Sequence, residues 1–161
     1  MSALKLSVSS DNLAARIRQL LRGTAPDTAA NVVWQQDGQQ VLILLDTLQM
    51  RSLDGWLLCD LAVRTDQTGQ CTLQFVFFLG KQEEGDGAQA ATTINAPTLR
   101  AAQVADRWGA DIQRVLWDAV LDVIEASVDH AAQRKPGQPL MLAGFHCDSG
   151  AIHVDLLVGE F

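Results

Sequence analysis

The chain has 161 residues and a formal net charge of −7, from 12 Lys and Arg against 19 Asp and Glu. That length suits a single domain over residues 1–161 with a real core. With no basic stripe or arginine-rich arm, the acidic balance disfavours nucleic acid and anionic membrane surfaces as partners.

The first residues, Met1 to Leu6, carry no apolar signal core, and no run reaches the length of a membrane span, so a cytoplasmic location is expected. Cys59, Cys71 and Cys147 are odd in number and scattered, which reads as reduced thiols within strands and not a disulfide framework.

In chain order, Asp11–Arg22 predicts a helix with Leu13, Ile17, Leu20 and Leu21 on its apolar face, capped by Ser10 or Asp11 and ended by Gly23 and Pro26. Asn31–Gln36 and Gln39–Gln49 then flank Asp37-Gly38, a strong hairpin signal that sets Trp34 opposite Val41 and Val32 opposite Ile43. The run from Val41 to Leu45 is apolar on both faces and reads as a central strand.

After a turn over Met50 to Gly55, Trp56–Arg64 and Cys71–Leu79 complete an antiparallel meander. The double-sided apolar character of these strands calls for a closed barrel, two covering layers or a subunit interface. Residues 81–97 read as a flexible acidic loop.

From Thr98 to Arg134 no proline interrupts a helical pattern with two apolar stripes. One stripe, including Trp108, Ile112, Leu116 and Val123, suits a sheet. The other, Trp117, Leu121, Ile124 and Val128, needs a partner: the N-terminal helix, a second copy, or a ligand. Hiding those four is worth roughly 1.5–3 kcal/mol each. An unbroken helix of this length runs about 55 Å, well beyond a strand of about 33 Å, so it breaks near Gly109 or overhangs its sheet. Gly109 can equally mark close packing. Finally Leu140–Asp148 and Ala151–Val158 form a hairpin about Ser149-Gly150.

The expected fold is therefore α+β: an antiparallel meander sheet of about six strands, in the order α-ββββ-α-ββ, packed against one long helix plus an N-terminal helix. The element order and acidic charge resemble those of dimeric secretion-chaperone-like α/β folds, although the four-strand meander and the missing final helix depart from that pattern.

The terminal hairpin carries the one constellation with chemical potential. A two-residue turn sets His146 opposite His153, with Asp148 and Asp155 on the same face. His146, His153 and Asp155 could hold a divalent metal, or the two imidazoles could work as an acid–base pair. Alternation on a hairpin with one wet face explains the same residues. Asp60 and Arg64, on one strand face, are candidates for binding a small anion or for a salt bridge. Trp34, Trp56 and Trp108 suit a core or a ligand pocket.

No P-loop, GxGxxG, HExxH or GxSxG motif occurs, so no catalytic residue or cofactor is assigned. The expected function is a non-enzymatic, adaptor- or chaperone-like interaction domain that forms a homodimer through surplus apolar surface, with a protein or peptide as further partner. The alternative is a small-ligand-binding or metal-dependent enzyme domain with a pocket between sheet and long helix.

Overall fold

A computed structural model describes residues 2–22, 31–80, 92–134 and 136–159. The protein is α+β, and all its strand pairs are antiparallel. The expected strands are present, and two more join them: β1 (Ser2–Ser9) ahead of α1 (Ser10–Arg22), and the short β6 (Thr92–Asn95) just before the long helix. The strands divide into two hydrogen-bonded sheets. One holds β2 (Asn31–Gln36), β3 (Gln39–Leu53), β4 (Trp56–Thr65), β5 (Gly69–Phe78) and β6; the other has the order β1-β8-β7, with β7 at Leu140–Asp148 and β8 at Ala151–Val158.

The chain enters α1 directly from β1. Ser9 therefore accepts the cap bond from Asn12 N at 3.1 Å, in place of the expected Ser10 or Asp11. At the first hairpin Asp37 and Gly38 both have positive φ, 53° and 75°, as a two-residue turn between right-twisted strands requires. The register follows, with Trp34 opposite Val41 and Val32 opposite Ile43.

β3 runs past the expected Gln49 to Leu53, because Met50–Leu53 go on pairing with β4, and its register shifts between Leu44 and Gln49. This bulge is pinned from both sides. Thr47 Oγ1 donates to Leu44 O at 2.6 Å and accepts from Ala62 N at 2.9 Å. Arg18 of α1 donates to Leu48 O at 2.6 Å, and Arg22 pairs with Asp46.

The helical region is continuous but not uniform. Thr98 caps α2 (Leu99–Val104), a π turn spans Ala105–Gly109, and α3 runs from Ala110 to Arg134. The helix does not break at Gly109, and the close-packing reading of that residue holds. The helix changes pitch there, and a Cβ on Gly109 would lie 2.8 Å from Ile94 Cδ1. The face holding Ile112, Leu116, Val120 and Val123 is buried and belongs to one core shared by both sheets and α1.

The two sheets are stitched at one corner. Gly55 N donates to Cys147 O (3.0 Å), Cys147 N to Leu79 O (2.9 Å) and Gly150 N to Ser52 O (3.1 Å). Of the acidic loop expected at 81–97, residues 81–91 lie outside the described residues, as do 23–30 after α1.

Candidate functional site

The three-stranded sheet brings together the residues with most chemical capacity. On its inner face Leu4, Leu6 and Val8 of β1 stand opposite Leu156, Val154 and Ile152 of β8, against the core. Strand alternation sends their neighbours outward. The outer face therefore carries one row of Ser7, His153 and His146 across the three strands, with Lys5 and Asp155 paired on one side of it and Asp148 on the other.

His153 is held at both ring nitrogens: Nδ1 lies 2.7 Å from Ser7 Oγ, and Nε2 lies 2.7 Å from Asp148 Oδ2. A carboxylate only accepts, so Nε2 carries the proton and donates to Asp148. In the neutral imidazole Nδ1 is then a lone pair, and the Ser7 hydroxyl donates to it. His146 lies beside this group, its ring tilted 38° to that of His153 with centroids 5.3 Å apart, and its Nδ1 is 3.5 Å from Asp155 Oδ2. Although on the outer face, the side chains of His146 and His153 are only 13% and 17% exposed.

The register that sets His146 against His153 is the one the Ser149-Gly150 turn predicts. The three metal candidates His146, His153 and Asp155 share this face but fall into different pairings. Both nitrogens of His153 are already engaged, and its carboxylate partner is Asp148, not Asp155. Among the described residues no group of three or more His, Cys, Asp or Glu is arranged to hold a metal ion. Ser7 and Lys5 complete the site but escape a sequence reading that takes the N-terminal residues only as a lead into the helix. Their signal is the alternation of Leu4, Leu6 and Val8 with Lys5 and Ser7.

The second feature of this sheet is its free edge. Among the described residues no strand pairs with the outer side of β7. Cys147 turns both backbone groups to that side, toward Leu79 and Gly55, so by alternation Phe145 also points its N–H and C=O outward. Met141 and Leu142 on this edge are 58% and 52% exposed. At the stitched corner beyond Cys147, Leu53 and Trp56 are exposed as well, and Trp56 meets Phe78 edge-on at 5.0 Å.

The other candidates are placed as follows. Trp117 stacks on Phe77 at 5.5 Å and lies 6.3 Å from Phe145. Ile124 is buried, Val128 packs half-buried against the core, and Leu121 is half-buried. The Trp117 stripe is thus covered largely within the chain, by β5 and β7 as well as α1. Asp60 accepts from Gln74 (3.1 Å) and Arg64 donates to Gln70 (3.3 Å), so each is bonded across the sheet to a glutamine. Trp108 is core, but Trp56 is not; the side chain of Trp34 lies outside the description.

Burial pushes the Cys147 thiol up to about 11, with the Asp148 and Asp54 charges adding to the rise. Burial, helped by the neighbouring Asp60, pushes Cys59 up further still. Neither is a nucleophile near neutral pH.

The space between the middle of α3 and the sheet is filled, with Ile112, Leu116, Phe75 and Phe77 essentially inaccessible. A cleft of about 640 Å³ opens instead where the π turn faces the β2–β3 and β4–β5 turns. Its lining is mainly polar, with Gln40, Gln67 and Gln103 among the residues. There Arg107 bonds Gln39 Oε1 at 3.0 Å and lies 4.7 Å over the Trp108 ring.

No protein-family model matches this chain, and no curated protein aligns with it significantly. Among the described residues no helix is long and apolar enough to cross a membrane.

Proposed function

We propose that this protein is a cytoplasmic interaction domain that associates with a second copy of itself along the free edge of β7. One observation carries the reading: among the described residues the β7 edge before Cys147 has no strand partner, and half-exposed large apolar side chains border it, Met141 and Leu142 at one end and Leu53 and Trp56 at the other. Natural edge strands are usually blunted by lysine, proline, inward charge or a bulge; Leu140–Phe145 carries none of the first three, and its one protection is the register shift between Leu142 and Gly144.

A second copy is the occupant that this edge fits. The net charge of −7 leaves the stretch Leu140–His146 without an acid, so like strands can meet there without placing like charges face to face. An antiparallel β7–β7 pair about a two-fold axis is self-complementary, since each contact occurs twice. A half-covered side chain gains about 1 kcal/mol on full burial. Four from each copy give about 8 kcal/mol, comparable with the lower part of the roughly 4–15 kcal/mol cost of association. The backbone bonds of a continued ladder then tip the balance. The Trp117 stripe is not required for this contact.

The backbone reading has its own test. In the associated state the Phe145 amide exchanges slowly with solvent, and dilution speeds that exchange while Val154 on the central strand stays protected. Exchange at Phe145 that is fast and independent of concentration would remove the proposal.

A further inference from the structure

We propose that the outer face of the β1-β8-β7 sheet is an acyl-transfer site for small carboxylic esters, with Ser7 as nucleophile and His153 as general base. The proposal does not depend on self-association, because Ser7 lies on β1, the edge opposite β7.

The geometry assigns each role. Asp148 accepts from His153 Nε2 at 2.7 Å and so fixes the tautomer that leaves Nδ1 as a base, 2.7 Å from Ser7 Oγ. This polarity (carboxylate, imidazole N–H, imidazole lone pair, hydroxyl) is the one nucleophilic catalysis by serine requires, and it is recognised by roles, not by sequence position. Asp148 is a positioning residue. The relay spans three strands: Asp148 and His153 meet across the terminal hairpin, and Ser7 joins them from 146 positions away in sequence. His153 is mostly shielded from water while the Ser7 side chain is exposed to a substrate.

The ladder places a donor for the developing oxyanion. Ser10 N bonds Gly150 O at 2.9 Å, so in the same register the even-numbered residues of β1 face β8. By alternation Ser7 turns its own N–H to the side of the strand away from β8. Lys5 stands two residues away on the same face, next to Asp155 across the ladder, and brings positive charge to the same place.

The reaction balances with water alone. Ser7 Oγ bonds to the ester carbonyl carbon as its proton passes to His153 Nδ1. The carbon–oxygen bond to the alcohol breaks, and that proton leaves with the alcohol. Water then attacks the acyl-Ser7, giving one proton to Nδ1. Ser7 departs from the carbon and recovers that proton, and the carboxylic acid is released. The face is open, so the substrates are small and loosely selected.

The test is labelling of the whole protein with an alkyl fluorophosphonate, read by intact mass and peptide mapping, beside p-nitrophenyl acetate hydrolysis. One adduct on Ser7 is expected, absent in Ser7→Ala. His153→Gln should slow labelling and hydrolysis at least 100-fold, and Asp148→Asn at least tenfold, at an unchanged melting temperature. Should His153→Gln not fold, Ser7→Cys decides. Its thiol should react with iodoacetamide at neutral pH faster than free cysteine, because His153 takes its proton. No adduct on Ser7, or labelling equally fast without His153, would overturn the proposal, whatever the oligomeric state.

Discussion

Trp117 on α3 stacks on Phe77 of β5, with ring centroids 5.5 Å apart and planes 24° from parallel. This contact turns the second stripe of the helix from a surface awaiting another molecule into part of the chain's own packing. Trp117→Glu would bring a charge against Phe77 and Phe145, so it should destabilise the fold by about 2–4 kcal/mol. Urea unfolding measures that loss. A fully stable variant whose only change is a lower mass would return Trp117 to the role of interface residue.

The bulge in β3 makes a second point. Ala62 is buried, and its N–H is satisfied by Thr47 Oγ1 at 2.9 Å. Thr47→Val keeps the shape and removes the acceptor, leaving a shielded donor without its partner. A loss of about 1–3 kcal/mol is expected. Thr47→Ser, which keeps the oxygen, should lose less than half as much by the same measurement.

Several of these relationships are legible before any coordinates. Asp37-Gly38 and Ser149-Gly150 each specify a two-residue turn, and a turn plus period-two alternation sets the register, which is why Trp34–Val41 and His146–His153 are found as expected. Gly109 likewise signals a disturbance in the helix. What stays hidden depends on distant partners. β1 pairs with β8, so the two ends of the chain close a separate sheet. Ser7 and Lys5 reach the histidine face only through that pairing. β6 has four residues, too few for its alternation to stand out. The covering of Trp117 by Phe77 and Phe145 depends on how α3 crosses two sheets, and no local pattern encodes that.

Alkaline pH supplies a third test. Burial raises both the Cys59 and the Cys147 thiols, the latter to about 11 from an ordinary value of 9.0. Above pH 9 the unfolded chain loses these protons while the folded chain keeps them, so the unfolded state binds fewer protons and stability falls as pH rises. The contribution of Cys147 is intact below about pH 9 and is lost between 9 and 11. The chain has no tyrosine, which removes the usual competing titration. The urea midpoint should therefore decline over that window, and Cys59→Ala/Cys147→Ser should flatten the decline. An equal slope in both proteins would mean that other groups govern it.

Gly109 allows a fourth. Alanine is favoured over glycine in a helix by up to about 1 kcal/mol, but its Cβ would press on Ile94 Cδ1, 2.8 Å away. That atom is the end of a flexible side chain, so Gly109→Ala should leave the melting temperature nearly unchanged. Gly109→Ala/Ile94→Val should exceed Ile94→Val alone. A large loss from Gly109→Ala in either background would show that the π turn itself requires glycine.

The most direct test of the self-association account is the solution mass by light scattering, for the wild type and for Met141→Lys/Leu142→Lys. Both side chains are more than half exposed, so the double variant should fold as the wild type does. The account predicts a wild type of about twice the 17.5 kDa chain mass at high micromolar concentration and a folded variant at the chain mass. A wild type that stays at the chain mass, or a variant as dimeric as the wild type, would contradict association along β7.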